Sequence, residues 1–382
     1  MILKCTSFEQ MSEEIIKQNR SVVIFGAGVI GTVTAPEVLK QQGLLARVRF
    51  YIDNNSKMWG TKLEVQGRRV EILPVDKLAQ IKENISVIVA ISRYAEALEQ
   101  LSALPCGEQL VCYFMPMMCI HNFCSGISKG SPLLTKQPCI PKRIHYMWLG
   151  KKEIPLKLQK CIESWKQFCP DYEIIRWDES NYDLSQNSYM QEAYRAGAYG
   201  FVPDYARLDI LYRYGGIYMD TDVEVIRSLD TLLYQEAFCG VEKWQVLNFG
   251  GCSGAAKGNQ MILKFLKERE RIPFLNADGS QNKNTCGYYD TKTAIKNGYE
   301  LNGKTQNISG MNIYAYDYFH PYDYMSGQTL KTENTYTIHR FNGGWLDEKM
   351  KAANENAARK YEDLYQSAIS NEIGWITTSR RR

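Results

Sequence analysis

The chain has 382 residues, enough for two domains, each with a sizeable core. Hydrophobic residues make up 45% and charged residues 23%, which excludes a disordered chain, and 46 basic against 42 acidic side chains leave a net charge of +4, no basis for binding nucleic acid. No stretch approaches the roughly 18 to 20 uncharged apolar residues of a membrane span, and the start, Met1-Ile2-Leu3-Lys4-Cys5, lacks the apolar core of a signal peptide.

Residues 21–115 read as alternating strands and helices. Ser21–Phe25 is a continuous apolar strand of the buried parallel type, followed at once by Gly26-Ala27-Gly28-Val29-Ile30-Gly31 and a helical segment to about Gln42. Val48–Ile52 is a second strand ending at Asp53, Ser86–Ile91 a third, and Leu110–Phe114 a last one. This is a Rossmann-like pattern, assigned to residues 1–120. The glycine fingerprint lies between strand and helix with an acid about 20 residues on. Two readings stand open. Gly26, Gly28 and Gly31 let a nucleotide's phosphates meet the helix N-terminus while Asp53 takes a ribose hydroxyl, or the glycines serve only a tight turn and close packing.

Residues 121–138, rich in Gly, Ser, Lys and Pro, read as a linker. The second domain spans 139–350, with a C-terminal helix and tail over 351–382. Within it, Ile144–Leu149 is an apolar strand, and Asp204 after Pro203 opens a helix in which Arg207 shares its face. That helix runs into Gly215-Gly216 and the strand Ile217-Tyr218-Met219, ending in Asp220-Thr221-Asp222. Strand side chains alternate, so Asp220 and Asp222 are expected on one face at the strand's end. Such a pair of hard oxygen ligands suits Mg²⁺ or Mn²⁺ held together with a diphosphate. Residues 276–312 are polar and without period, which predicts a long loop, and Tyr314–Tyr324 is an aromatic run. Both mark a surface for an acceptor, although the tyrosines read equally as the domain's last packed layer. Eleven cysteines without a C-x-x-C pair point to reduced thiols and a cytoplasmic setting. Cys119, His121 and Cys124 match no standard zinc spacing.

The run from Asp204 to Val223 resembles the DXD-containing sugar transferases, the bacterial capsular and fungal mannosyl types distantly related to the glucosyltransferase domains of large clostridial toxins. Three more blocks carry the resemblance in the same order: Ile140–Gly150, Leu247–Ala255 with Asn248-Phe249-Gly250-Gly251, and Tyr336–Trp345 with His339. It covers about residues 139 to 346 and implies a GT-A-type α/β domain with a mixed central sheet. It further implies a metal-dependent, retaining glycosyltransferase that uses a nucleotide-diphosphate sugar, UDP-linked by preference, with Mn²⁺ or Mg²⁺. The acceptor would be a glycan or lipid-linked glycan of bacterial surface polysaccharide synthesis, met in the cytoplasm or at the inner face of the membrane, with peripheral membrane contact left open.

The resemblance implies roles residue by residue. Asp220, Asp222 and His339 would hold the metal, and Asp220 would also touch the donor ribose. Asp204 and Arg207 would face the donor sugar and phosphate and serve catalysis, an ordinary helix-face ion pair being the other, less favoured reading. Trp148 would stack on the nucleotide base, Asn248 would contact the donor sugar, and Trp345 would reach the leaving phosphate oxygen. The family's Ser before that tryptophan is Gly344 here. Two other readings belong to the first domain: an NAD-dependent sugar-nucleotide oxidoreductase or epimerase, disfavoured by the lack of a Tyr-x-x-x-Lys pair, and a non-catalytic docking module.

Overall fold

The computed structural model describes residues 1–342 apart from Arg93, Lys283 and Ser326, together with Ala352, Asn356 and Trp375–Thr377. The chain divides into two compact units, Met1–Ser125 with Lys349–Arg382, and Gly126–Glu348.

The first unit is built on strands β1 (Ile2–Lys4), β2 (Ser21–Phe25), β3 (Val48–Ile52), β4 (Lys62–Val65), β5 (Arg68–Leu73), β6 (Ile85–Val89) and β7 (Val111–Phe114), with helices α1 (Phe8–Lys17), α2 (Ala35–Gln41), α3 (Tyr94–Ala103) and α4 (Met115–Phe123). These strands run in the order β1-β7-β6-β2-β3-β5-β4 and are parallel to one another except for β4 at the edge. β2 and β6 pair residue for residue, Val23 beside Val87, and both are almost wholly buried, which explains their unbroken apolar runs. The first turn of the helical segment after the glycine fingerprint, Ile30–Thr34, is wound as a π-helix.

The second unit carries β8 (Arg143–Met147), β9 (Glu173–Trp177), β10 (Gly216–Tyr218), β11 (Val223–Val225), β12 (Ala237–Val241), β13 (Leu247–Asn248), β14 (Ser253–Ala255), β15 (Gln306–Ile308), β16 (Met311–Tyr314) and β17 (Thr337–His339). Its helices are α5 (Leu156–Phe168), α6 (Ser188–Arg195), α7 (Pro203–Tyr214), α8 (Gln260–Glu270), α9 (Cys286–Lys296) and the short α10 (Tyr316–Phe319). The central sheet, β15-β16-β12-β14-β10-β8-β9, is mixed: β8 runs parallel to β9 and β10, while β14 runs antiparallel to β10 and β12. A separate two-stranded ribbon joins β11 to β17. Apolar layers cover both faces of the sheet, one built around α7, α8 and Phe249, the other around Trp165, Met219 and Phe238.

Three expectations change. α4 reaches Phe123, and residues 126–138 are not a free linker: Lys129 and Leu133 bond to Thr305 and to the Asn312 side chain, so this stretch lies along the β15–β16 edge. The polar stretch 276–312 is not one long loop, since it contains α9, β15 and β16. The buried residues of α9 are Gly287, Asp290, Thr291, Thr293 and Ala294, so its inner face gives no apolar period. In the aromatic run, Tyr314, Tyr316 and Phe319 are buried and pack the core. At the far end of the chain, Trp375–Thr377 forms a strand, β18, antiparallel to β1. Most of the segment 351–382 read as a C-terminal helix and tail lies outside the described residues.

Candidate functional site

The site starts from the way α7 ends. Gly215 and Gly216 both have positive φ, 66° and 107°, and a Cβ on Gly216 would meet His145 Nε2 at 2.8 Å. His145 Nδ1 accepts from Trp177 Nε1 at 3.2 Å, so its proton sits on Nε2 and is donated to the Gly215 carbonyl at 2.8 Å. Burial outweighs that bond and brings the His145 pKa down to about 4. This neutral imidazole locks the glycine corner from which β10 enters the sheet beside β8.

β10 stops at Tyr218. The two acids therefore do not alternate along one strand, as the sequence suggested; they occupy a turn in which Val223 N–H donates to Asp220 O at 3.2 Å. The carboxylates still converge, because β11 leaves the turn antiparallel to β17 with Val223 opposite His339. One ligand atom from each of Asp220, Asp222 and His339 fits within a 4.8 Å cluster. His339 Nε2 lies 3.3 Å from Asp222 Oδ1, and Asp222 Oδ2 accepts from Asn342 N–H at 2.8 Å.

The electrostatics suit a cation. Burial opposes charge on Asp222, yet His339 and the backbone donors bring its pKa down to about 2. Burial likewise opposes charge on His339, but the carboxylates of Asp222, Asp220 and Glu242 raise its pKa above the usual value. Asp220 is raised by burial and by Asp222, with Arg207 pulling the other way. Two hard oxygens and one nitrogen on a half-open turn are a donor set that could hold a divalent cation.

Arg207 lies beneath this turn, 5% exposed, with Nη2 at 3.4 Å from both Asp204 Oδ1 and Asp220 Oδ1. Asp204 lies inside the first turn of α7 and is not its N-cap; it accepts from Tyr189 Oη at 3.3 Å. Arg207 Nη1 stands 3.6 Å from Cys286 Sγ at the start of α9, and Arg269, paired with Asp290 at 2.8 Å, donates to the Cys286 carbonyl. The structure thus links Asp204, through Arg207, to the Asp220 carboxylate.

Trp148 stands half-buried just beyond the end of β8, its indole N–H donating to Lys152 O at 2.6 Å. Asn248 is buried and spends its side chain on the protein: Oδ1 accepts from Gly250 and Gly251 N–H, and Nδ2 donates to Glu242. Trp345, with Gly343 and Gly344, lies outside the described residues. In the first unit, Asp53 spends both carboxylate oxygens on backbone N–H groups, of Ala27 and Asn55, at 2.8 Å each. A Cβ on Gly31 would meet the Gly26 carbonyl at 1.9 Å, while Gly28 faces open space. Gly31 is therefore a packing requirement of the helix against its own loop.

Sequence reasoning missed three groups near the cluster: Glu242 at the end of β12, His320 against Gly251, and the Arg269–Asp290 pair. His320 is 3% exposed, and burial and His339 hold it well below its usual pKa against a backbone bond to Val241. None of the three lies in a periodic motif, so only the fold assembles them.

Residues 155–239 match the family described as the glycosyltransferase sugar-binding region containing DXD motif. Over this region the chain is similar to the DXD-motif sugar transferases. That match takes in α7 and the Asp220–Asp222 turn but ends before Asn248 and His339. Inositol phosphoceramide mannosyltransferase 3 of Schizosaccharomyces pombe is 34% identical over 139 residues, 35% of this chain and 38% of that protein. Subversion of eukaryotic traffic protein A of Legionella pneumophila is 25% identical over 166 residues, 35% of this chain and 26% of that protein. The chain thus spans well under half the length of these relatives. The solved PaToxG glycosyltransferase superposes with a TM-score of 0.35 at 20% identity, covering 42% of this chain and 70% of that one, a likeness too loose to add to the argument. Among the described residues no helix is long and apolar enough to cross a membrane.

Proposed function

We propose that the second unit transfers a sugar from a nucleotide-diphosphate donor, UDP-linked by preference, to a glycan or lipid-linked glycan acceptor in bacterial surface polysaccharide synthesis. The observation that carries this reading is the convergence of Asp220, Asp222 and His339 within 4.8 Å at the end of a central strand. Those three residues would hold Mn²⁺ or Mg²⁺, which when bound neutralises the charge that develops on the departing diphosphate. Asp204 and Arg207 act from beneath. Arg207 is clamped between two carboxylates, so its guanidinium has little freedom and can fix a donor oxygen without reorganising. Asp204 keeps that guanidinium oriented and offers an acceptor for a sugar hydroxyl. Trp148, at the open end of β8, supplies the face for the base, and Trp345 the closing contact on the phosphate side. Retention of the anomeric configuration follows from the family and not from a nucleophile seen at the site.

The fission-yeast relative is named a mannosyltransferase, so the decisive screen covers UDP- and GDP-sugars together. Slow hydrolysis of one donor, dependent on Mn²⁺ and lost in EDTA, is the expected result. Equal hydrolysis with and without chelator would remove the metal from the reading.

A further inference from the structure

The geometry points to Glu242 as a positioning residue for the metal ligand Asp220, acting through Asn248 and the Gly250–Gly251 backbone; the inference rests on the metal-dependent reading of the site. Glu242 follows directly on β12. Its N–H donates to Val246 O and its carbonyl accepts from Gln245 N–H, both at 2.8 Å, in a tight turn where Gln245 takes a positive φ of 63°. The backbone under the carboxylate is therefore fixed.

Glu242 Oε1 accepts from Asn248 Nδ2 at 2.8 Å. An amide can sit either way round, and this bond decides which. With its NH₂ held by the carboxylate, Asn248 turns its carbonyl oxygen to the N–H groups of Gly250, at 2.8 Å, and Gly251, at 3.1 Å. A flipped amide would set its NH₂ against those two donors. The loop so held then reaches both arms of the ligand cluster. Gly250 O accepts from Asp220 N–H at 2.8 Å, and Gly251 O accepts from the hydroxyl of Thr337, two residues before His339, at 3.1 Å.

The loop has no slack. A Cβ on Gly250 would stand 2.1 Å from Asp220 Oδ2, and one on Gly251 2.0 Å from His320 Nε2. A displacement of a few tenths of an ångström at Asn248 must therefore move Asp220 or open a gap beside it. A charge-assisted bond at the far end of such a chain is the kind of outer contact that orients ligands. Asn248 in this role serves the loop, with its carbonyl committed to two backbone groups and its NH₂ to Glu242.

The test compares Glu242→Ala, Glu242→Gln, Asn248→Ala and the Glu242→Ala/Asn248→Ala pair in the full chain. Mn²⁺ binding in the presence of UDP is read from the electron paramagnetic resonance of free Mn²⁺, and amide exchange over 247–252 is read by mass spectrometry on metal-free protein. Glu242→Ala should weaken Mn²⁺ binding about 10- to 100-fold and speed exchange at the loop amides. Glu242→Gln, whose side-chain oxygen can still accept from Asn248, should stay close to wild type in both. The pair should be no weaker than Asn248→Ala alone, since both residues act along one line. If the alanine variant does not fold, Glu242→Met keeps the length without an acceptor and takes its place. Unchanged Mn²⁺ affinity with unchanged exchange overturns the inference. So does a Glu242→Gln variant that keeps Mn²⁺ affinity but loses donor hydrolysis, which would put the carboxylate on the substrate. Wild-type protein that binds no Mn²⁺ overturns the metal reading instead; unchanged exchange in Glu242→Ala overturns the inference in either case.

Discussion

Each unit of this chain sets a glycine-rich corner at one end of a buried strand with an aspartate close by, and the two units use that aspartate in opposite ways. In the first unit Asp53 gives both oxygens to backbone N–H groups of its own loops. In the second, Asp222 keeps one oxygen 3.3 Å from His339, and Asp220 has Arg207 at 3.4 Å as its hydrogen-bond partner among the described residues. A carboxylate consumed by its own backbone stabilises a loop, whereas one that faces another side chain across an open turn can exchange that partner for a cation. Similar strand-end chemistry therefore carries different capacity, and the difference lies in where the backbone donors point.

The strongest way to break this contrast is at Asp222. Asp222→Ala should lower metal-stimulated donor hydrolysis by about 10³-fold, the scale seen when a fixed electrostatic contact to developing charge is removed, with the circular dichroism spectrum unchanged. Wild-type rates would end it.

The next effect is on stability and belongs to the corner that holds the turn. His145 has a folded pKa of about 4 against about 6.5 unfolded, so between those values the unfolded chain binds more protons and stability falls as the pH drops. Urea unfolding should show a loss on the order of 2 kcal/mol from this group between pH 7 and pH 5. His145→Gln should flatten that part of the profile, and an equal slope in both proteins would show the imidazole already protonated.

Glycines sharpen the comparison further. Gly250→Ala should weaken Mn²⁺ binding roughly 10-fold by pressing on the Asp220 carboxylate, measured by titration with UDP present. Gly31→Ala, which crowds the Gly26 carbonyl, should lower stability by about 1–3 kcal/mol and leave donor hydrolysis per folded molecule unchanged. Gly28→Ala meets nothing within 4 Å and serves as the control.

The smallest effect is expected at Asp53. Asp53→Ala should cost about 1 kcal/mol through the lost loop bonds, read in thermal unfolding, with transfer unaffected. If transfer collapsed instead, the first unit would have to be counted in the reaction.

The residues that the fold brings together from one short run of sequence were legible. Asp204, Arg207, Asp220 and Asp222 lie within one helix–turn segment, and β8 and the β10 entry announced themselves as apolar runs flanked by glycine. His339 was reachable through its motif, but its distance from Asp222 is set by the β11–β17 register, which no local pattern encodes. What failed to show had a physical cause in each case. The Asp220–Asp222 pair reads as strand because its apolar lead-in is strand, yet β10 is only three residues long and a turn follows. α9 hid because the residues it buries include Gly287, Asp290 and Thr291, which leave no apolar period. Glu242 looked like any charged residue after a strand until the fold placed Asn248 against it.

The β11–β17 ribbon has a mechanical consequence. Asp222 accepts from Asn342, 120 residues further along, and its backbone carbonyl also takes Arg340 N–H. A cation held by Asp220, Asp222 and His339 would close the same span, so binding and chain closure are one event. At a free Mn²⁺ concentration 100 times its dissociation constant, that closure adds about 2.7 kcal/mol to the folded state. The metal would act as a buckle across the second unit, and resistance to proteolysis near residue 340 should rise and fall with the divalent cation in the buffer.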